Sequence, residues 1–215
     1  MIKNNTDVLI LSPHTDDAEL GCGGTIIKML ETGKKIHWVV FSTAAESLPD
    51  GLPKNTLRDE FLNVVKELGV KKQNVEVFDF KVRYLFEERQ VILEKLVEIR
   101  KKMNPKLVIG PSLNDLHQDH IVVANEMVRA FKSYASIISY ELPWNHVTFN
   151  TQFFSKITKE HVKRKVHLLN NYKSQIKKNR VYFSKEYIFG IAKTRGTQIG
   201  AEYAEAFEVI RWIIL

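Results

Sequence analysis

The 215-residue sequence predicts an α/β fold, and three patterns support that prediction. Short apolar runs without polar alternation recur along the chain, as expected of strands that are buried on both faces of a parallel sheet. Segments with apolar residues at helical spacing separate these runs. The alternation of strands and helices predicts a sheet with helices packed on both of its faces. We therefore expect one domain over residues 1–215, a length that suits a single domain.

The predicted elements follow one another without a linker or an internal repeat. Five strands are expected at residues 8–11, 35–41, 75–80, 107–109 and 137–142. Helices are expected between them at residues 18–32, 55–68, 85–102 and 121–132. The first two helices end at Gly33 and Gly69, because glycine readily adopts the left-handed conformation that closes a helix. This order predicts a Rossmann-like, doubly wound and mainly parallel sheet over residues 1–142.

The pattern is looser in the C-terminal part of the chain, residues 143–215. We expect a strand over residues 147–154, basic helices near 158–171 and 184–194, and a closing strand near 207–214. These elements predict a C-terminal elaboration of the same domain on the side where substrate binds.

The composition is that of a globular protein with an uneven charge. Hydrophobic residues make up 44% and charged residues 27% of the chain, which excludes a disordered or collagen-like protein. The net charge is +7, and the segment 155–195 carries 12 Lys and Arg residues against 2 acidic ones. Such a segment attracts phosphates, anionic lipids, nucleic acid or an acidic substrate, and a solvated helix face is the alternative.

The sequence also predicts where the protein is located. No apolar run approaches the roughly 20 residues that span a bilayer, which excludes an integral membrane protein. The single cysteine, Cys22, cannot form an intramolecular disulfide, and the apolar stretch at residues 8–11 is too short for a signal-peptide core. We expect a cytoplasmic protein.

The two most polar loops follow the first and the fourth predicted strands. Their chemically active residues are His14, Asp16 and Asp17 in the first loop and His117, Asp119 and His120 in the second. In a 3-2-1-4-5 strand order these two strands are neighbours, so the loops at their carboxyl ends meet at one crevice. Histidine and aspartate are common metal ligands, and the two loops together therefore predict a metal site.

The spacing offers four candidate ligands for three positions. A catalytic zinc ion commonly takes three protein ligands from histidines and a carboxylate, and leaves one position open for water. His14 and Asp17 lie three residues apart where a helix begins, and His117 and His120 repeat that spacing. Aspartate at a helix start also acts as an N-cap, which is the structural alternative for the first loop.

The same loops contain groups that suit hydrolysis of an amide. A metal-bound water has a lowered pKa, and Asp16 would be the general base that takes its proton. The imidazole outside the ligand set, for which His117 is the candidate, would polarise the carbonyl oxygen or protonate the departing amine. Asp119 would orient an imidazole ring through its second nitrogen.

Three residues outside these loops are candidates for substrate binding. His146 follows the fifth predicted strand, on the same rim as the two polar loops. Arg58 opens the helix after the second strand, where it either binds a substrate anion or is a first-turn surface charge. Glu205 either contacts substrate or ties the C-terminal part of the chain to the core.

Three motifs carry a resemblance to a known family. Residues 12–25 read S-P-H-T-D-D-A-E-L-G-C-G-G-T and resemble the signature P-H-P-D-D followed by E-L-G-C-G-G of the PIG-L/LmbE-like, zinc-dependent N-acetylglucosaminyl deacetylases. Residues 117–120, H-Q-D-H, match the second signature of that family, H-x-D-H, and residues 200–207, G-A-E-Y-A-E-A-F, match its pattern G-x-x-Y-A-E-x-F. Thr15 stands where the family most often has proline, a difference that affects the stiffness of the loop and removes no ligand.

The resemblance implies a reaction and a role for each site residue. The implied reaction is removal of the N-acetyl group from an N-acetylglucosamine-type conjugate by attack of a zinc-bound water. The implied metal ligands are His14, Asp17 and His120, with Asp16 as the base and His117 as the acid or the group that stabilises the oxyanion. Zinc is the expected cofactor, and iron(II) or another divalent ion is the alternative, because these ions also suit two histidines and an aspartate.

Two other functions are left open at this point. One is a related amidase that acts on a different N-acyl conjugate. The other is a protein that binds nucleic acid or a membrane surface through residues 155–195. The expected partner is a small amino-sugar conjugate, with or without an anionic aglycone, and nucleic acid is not expected to bind. Peripheral membrane contact and homo-oligomerisation are left open.

Overall fold

A seven-stranded sheet forms the centre of the protein, which is described over residues 7–214 of a computed structural model. The strands are β1 Val8–Ser12, β2 Ile36–Val40, β3 Val75–Val77, β4 Leu107–Gly110, β5 Ser136–Tyr140, β6 Phe153–Ile157 and β7 Tyr203–Arg211. Their order in the sheet is β3-β2-β1-β4-β5-β7-β6. Strands β1 to β5 are parallel, and β7 runs antiparallel between β5 and β6. The predicted α/β class and the 3-2-1-4-5 strand order are confirmed.

Helices cover both faces of this sheet. They are α1 Asp17–Glu31, α2 Thr56–Glu67, α3 Arg89–Met103, α4 Gln118–Phe131, α5 Lys159–Leu169, α6 Lys173–Ile176 and α7 Lys185–Thr197. Apolar residues of α1, α2, α5 and α7 share one core cluster, and those of α3 and α4 share another. Strand β1 contributes Val8 and Ile10 to the first cluster and Leu9 and Leu11 to the second. Both faces of β1 are therefore buried, which explains its unbroken apolar sequence.

Helix α1 packs unusually close to the sheet. A Cβ atom added to Gly21 would lie 2.5 Å from Cδ2 of Tyr140, so only glycine fits at this position. The next residue, Cys22, has a non-helical φ of −146°, and the helix is kinked there. The close approach fixes the first turn of α1, and the polar loop that precedes it, against β5.

Two predicted helix starts are wrong by three or four residues. Helix α3 begins at Arg89 and not at residue 85, because the backbone N–H of Leu85 donates to Asp119 Oδ1 at 3.3 Å and residues 85–88 form turns. Helix α4 begins at Gln118 and not at residue 121, because the His117 side chain caps the helix by accepting a hydrogen bond from the backbone N–H of Asp119. Both differences involve the second polar loop.

The C-terminal elements match the prediction less closely. The strand expected at residues 147–154 is wrong: β6 begins at Phe153, where pairing with β7 starts, and most of the preceding segment is a loop. Strand β7 begins at Tyr203, four residues before the expected start, and α6 was not predicted. Among residues 7–214, no helix is long and apolar enough to cross a membrane.

Candidate active site

The two polar loops line one cavity of about 260 Å³, next to the carboxyl ends of β1 and β4. Residues 14–17 of the first loop and His117 and His120 of the second are part of its wall. The cavity is close to the lower end of the range of about 300 to 1,000 Å³ that is typical of small-molecule sites. The strand order therefore brings together the residues that the sequence analysis expected to converge.

Three side-chain atoms form a nearly equilateral triangle at this cavity. The distance is 3.2 Å from Asp17 Oδ2 to His14 Nδ1, 3.2 Å from Asp17 Oδ2 to His120 Nε2, and 3.2 Å between the two nitrogens. Ligands about 2.0 Å from a tetrahedral zinc ion are separated by about 3.3 Å. All three residues are buried. The spacing of the triangle therefore suits three ligands of a divalent cation, and these residues would hold such an ion at the wall of the cavity.

His117 belongs to an alternative ligand set. His14, His117 and His120 each bring one potential ligand atom within 4.8 Å of the others. The ring centroid of His117 lies 4.9 Å from that of His14 and 4.7 Å from that of His120. The two sets share His14 and His120, and the set that contains Asp17 has the spacing closer to that of a tetrahedral ion.

Each histidine of the triangle has a carboxylate partner of its own. His14 Nε2 lies 2.9 Å from Asp119 Oδ2, and His120 Nδ1 lies 2.7 Å from Asp115 Oδ2. Each carboxylate holds the outer nitrogen of its ring, and the other nitrogen is left to face the triangle. Asp115 was missed by the sequence analysis, although it lies only two residues before the H-x-D-H motif.

The charges of the site favour a cation. Burial lowers the pKa of His14 and of His120, but the carboxylates beside them outweigh it and raise these pKa values to about 9 and about 10. Burial raises the pKa of Asp17, but His120 and His14 outweigh it and hold that pKa well below its usual value. The carboxylates thus give the triangle a negative environment, which either protons on the histidines or a metal ion would compensate.

Asp16 lies beside the triangle in a different environment. Burial and the adjacent Asp17 raise its pKa to about 6, against the opposing effects of His14 and Arg180. Asp16 occupies the N-cap position of α1, but its side chain makes no capping hydrogen bond. N-capping therefore does not account for this side chain, and a carboxyl group with a pKa near 6 is suited to accept a proton near neutral pH.

The hydrogen bonding of His117 defines its tautomer. Because Nδ1 accepts the backbone N–H of Asp119 at 3.2 Å, the proton of the neutral ring lies on Nε2. Burial, followed by the neighbouring His120 and His14, lowers the pKa of His117 to about 4. At neutral pH this residue presents an uncharged ring with one N–H donor.

The three predicted substrate-binding residues lie outside the wall of this cavity. The buried ring of His146 stacks on Phe149, with centroids 5.0 Å apart, and its Nε2 lies 3.7 Å from Asp115 Oδ2. Arg58 lies on the wall of a separate surface hollow that also contains Lys54 and Lys81.

Glu205 is buried at the back of α1. Its carboxylate accepts hydrogen bonds from the backbone N–H groups of Gly24 at 3.0 Å and Thr25 at 2.7 Å, and it pairs with Lys165 Nζ at 2.7 Å. These contacts tie β7 to α1, which is the structural alternative that the sequence analysis left open.

One side of the cavity wall comes from the C-terminal part of the chain. The rings of Trp144 and Tyr182 stack with centroids 3.9 Å apart and an interplanar angle of 11°. Arg180 lines the cavity beside them and donates a hydrogen bond to the Tyr182 hydroxyl at 2.5 Å. No motif in the sequence identified these residues, because the chain reaches them through a segment of loops and short helices.

Comparisons with known proteins extend the resemblance that the motifs suggested. A family model described as PIG-L, GlcNAc-PI de-N-acetylase, matches residues 9–131. A protein of Escherichia coli K12 named "Uncharacterized deacetylase YaiS" is 26% identical over 170 residues, which are 78% of this chain and 90% of that protein.

Solved structures with the same fold include proteins with different reactions. The N,N'-diacetylchitobiose deacetylase of Pyrococcus horikoshii has a TM-score of 0.79 and 21% identity, with 97% of this chain and 85% of that chain covered. GalB of Pseudomonas putida, a 4-carboxy-2-hydroxymuconate hydratase, has a TM-score of 0.77 and 19% identity, with 98% of each chain covered. At this level of identity the likeness establishes the fold alone.

Proposed function

Because the chain belongs to the PIG-L family, described as GlcNAc-PI de-N-acetylase, we propose that it is an N-deacetylase. The proposed reaction is hydrolysis of the acetamide of an N-acetylglucosamine-type conjugate. The observation that carries the proposal is the triangle of His14, Asp17 and His120, with Asp16 and His117 beside it in one cavity. We assign the three triangle residues as ligands of a divalent cation, with zinc as the first choice. The products are acetate and a free amino sugar.

The reaction requires an activated water and stabilisation of a developing oxyanion. A divalent cation bound to the triangle would lower the pKa of a water molecule and polarise the acetamide carbonyl. The Asp16 carboxylate accepts a proton from the attacking water as the new bond from oxygen to the carbonyl carbon forms. The same carboxyl group then returns a proton to the amine nitrogen as the C–N bond breaks.

His117 is assigned to the oxyanion. The sequence analysis left two roles for this residue, a hydrogen-bond donor to the carbonyl oxygen or an acid that protonates the amine. A neutral ring with its proton on Nε2 suits the first role, because it donates a hydrogen bond without being deprotonated in the reaction.

Asp119 and Asp115 act through the ligands. Each holds the outer nitrogen of one triangle histidine, so we assign both as positioning residues and not as groups that touch substrate. Asp119 is further held by the backbone N–H groups of Arg83 at 2.7 Å and Leu85 at 3.3 Å. These contacts restrict the orientation of His14 before a cation binds.

The basic segment gives little support to the alternative of nucleic-acid or membrane binding. Several of its cations are neutralised by carboxylates within the described part of the chain, in the pairs Lys163–Glu160, Arg164–Glu31, Lys165–Glu205 and Arg195–Glu141. These pairs reduce the positive charge that α5 and α7 could offer to a phosphate backbone.

Acetate release tests the proposed function. Metal-free protein and protein reloaded with zinc are incubated with a panel of N-acetylglucosamine conjugates and with N-propionyl and N-butyryl analogues. We expect acetate release that requires the metal. Cleavage of only the longer acyl groups would favour the related amidase, and no release of any acid by metal-loaded protein would contradict the proposed function.

A further inference from the structure

A buried tyrosine from the C-terminal part of the chain contacts the loop that carries Asp16. The side chain of Tyr172 is fully buried, and its hydroxyl group donates a hydrogen bond to the carbonyl oxygen of Thr15 at 2.5 Å. The same hydroxyl oxygen lies 2.5 Å from Oε1 of Glu19, in the first turn of α1. The first polar loop and the start of α1 are therefore both fixed to Tyr172.

The position of Tyr172 is itself fixed by the helix that follows it. Tyr172 is the N-cap residue of α6. Within α6, the backbone N–H and the hydroxyl group of Ser174 donate to the buried carboxylate of Glu60 in α2, at 2.9 and 2.6 Å. The ring of Tyr172 packs edge-on against Phe183, with centroids 6.3 Å apart. The hydroxyl group is therefore presented to the loop from a well-packed support.

The hydrogen bond acts on the peptide group that joins Thr15 to Asp16. This group is planar and includes the Asp16 Cα atom, so a fixed carbonyl oxygen restricts the direction in which the Asp16 side chain projects. The Asp16 side chain makes no capping hydrogen bond at the start of α1. The side chain of Asp17, by contrast, accepts a hydrogen bond from the backbone N–H of His14 at 2.7 Å. The direction of the Asp16 carboxyl group thus depends more on its backbone than that of Asp17 does.

Given the proposed function, in which Asp16 is the base, we propose that Tyr172 is a positioning residue that holds the Asp16 carboxyl group toward the cavity through the Thr15 carbonyl. Thr15 and Asp16 line the cavity, whereas Tyr172 and Glu19 lie outside its wall. Tyr172 therefore acts on proton transfer without touching substrate. A displacement of a catalytic group by about 1 Å can cost about 100-fold in rate, so one hydrogen bond to the loop is sufficient to matter.

Tyr172→Phe tests this role, because it removes the hydroxyl group and keeps the buried ring. For the zinc-loaded protein we expect kcat for acetate release to fall about 10- to 100-fold with KM little changed. Zinc content should not change, since His14 and Asp17 keep their own hydrogen bonds. Tyr140→Phe is the matched control, because the buried Tyr140 hydroxyl donates at 3.2 Å to the carbonyl oxygen of Leu11 in β1. It should lose a similar amount of stability to urea and keep the kcat of the unmodified protein.

The same substitution in Asp16→Asn separates positioning of the base from a general structural effect. Without the base, we expect Tyr172→Phe to lower the residual kcat by no more than about twofold, because residues that act as a unit are not additive. Glu19→Leu removes the other partner of the hydroxyl group and should show the same dependence on Asp16. Equal fold losses in both backgrounds, loss of zinc from Tyr172→Phe, or an unchanged kcat in Tyr172→Phe would overturn the proposed role.

Failure of the proposed function would be recognised separately, as the absence of acetate release from the unmodified, zinc-loaded protein. Crystal structures of the unmodified protein and of Tyr172→Phe then test the role of Tyr172 without an activity. A displacement of the Asp16 carboxyl group by about 1 Å or more would support it. An unchanged position of that group, with the Thr15 carbonyl in its original orientation, would overturn it.

Discussion

Asp16 and Asp17 are adjacent in the chain but have opposite properties. Both are buried, yet the pKa of Asp16 is raised to about 6 by burial and by Asp17, whereas two histidines hold the pKa of Asp17 far below its usual value. Two carboxyl groups whose environments separate their pKa values are suited to different roles. This difference supports Asp17 as a permanent anion beside a cation and Asp16 as the group that exchanges a proton.

Asp16→Asn tests the proposed base. We expect a loss of about 10² to 10⁴ in kcat, the usual contribution of general-base catalysis, because the amide cannot accept the proton of water. Zinc content, measured by atomic emission, should stay at the level of the unmodified protein, since Asp16 is not in the triangle. Asp50→Asn, at an exposed position, is the control. Full activity of Asp16→Asn would exclude the assignment.

Asp17→Ala and His117→Ala distinguish the two candidate ligand sets. If the triangle binds the ion, Asp17→Ala should lose most of its zinc, because one ligand and its negative charge are removed. His117→Ala should keep its zinc and lose about 10² to 10³ in kcat, as expected for loss of an oxyanion donor. The opposite pattern of zinc contents would favour the set of three histidines.

At the scale of the elements, the packing of α1 determines where the first loop lies. Gly21→Ala should destabilise the protein by about 1 to 3 kcal/mol, because the added methyl group overlaps the ring of Tyr140. Urea unfolding of the metal-free protein measures this change. Gly190→Ala is the matched control, since Gly190 is exposed in α7 with nothing within 4 Å of an added Cβ. In Gly190→Ala we expect the free energy of unfolding to increase by up to about 1 kcal/mol, because alanine has the higher helix propensity. A similar decrease of the free energy of unfolding in both variants would contradict the packing argument.

The helices and strands differ in how well the sequence predicts them. Strands β1, β2, β4 and β5 are buried on both faces, so their apolar runs define them within one or two residues. The segment before α3 is held by a tertiary hydrogen bond from Leu85 to Asp119, which leaves no local pattern. Helix α4 is capped locally by His117, and histidine is not one of the residue types that usually signal a helix start. Strand β6 is at the edge of the sheet and pairs only with β7, a long-range partner that local periodicity does not reveal.

The candidate site was predictable from the sequence only in part. The convergence of the two polar loops followed from the strand order alone, because neighbouring parallel strands end at the same edge. The positions of His146, Arg58 and Glu205 depend on the paths of individual loops and on side-chain packing. Arg180 and Tyr182 lie in a segment without regular periodicity, and only the three-dimensional structure places them in the cavity wall.

For the whole molecule, cation binding and protonation compete at the triangle. The pKa values of about 9 for His14 and about 10 for His120 mean that protons are bound in the metal-free protein at neutral pH. Zinc has to displace them, so its affinity should increase from pH 6 to pH 9 and decrease as the pH falls. Calorimetry in two buffers with different ionisation enthalpies measures the protons released, and a pH-independent affinity would contradict this linkage.

In the proposed function, hydrolysis of the acetamide is linked to a cation held by His14, Asp17 and His120. Titration of metal-free protein with zinc tests that link most directly. Bound zinc and the rate of acetate release from an N-acetylglucosamine conjugate are measured in the same samples. We expect the rate to rise in proportion to bound zinc and to level off at one ion per chain. A rate that does not depend on bound zinc, or no acetate release at one ion per chain, would contradict the central claim.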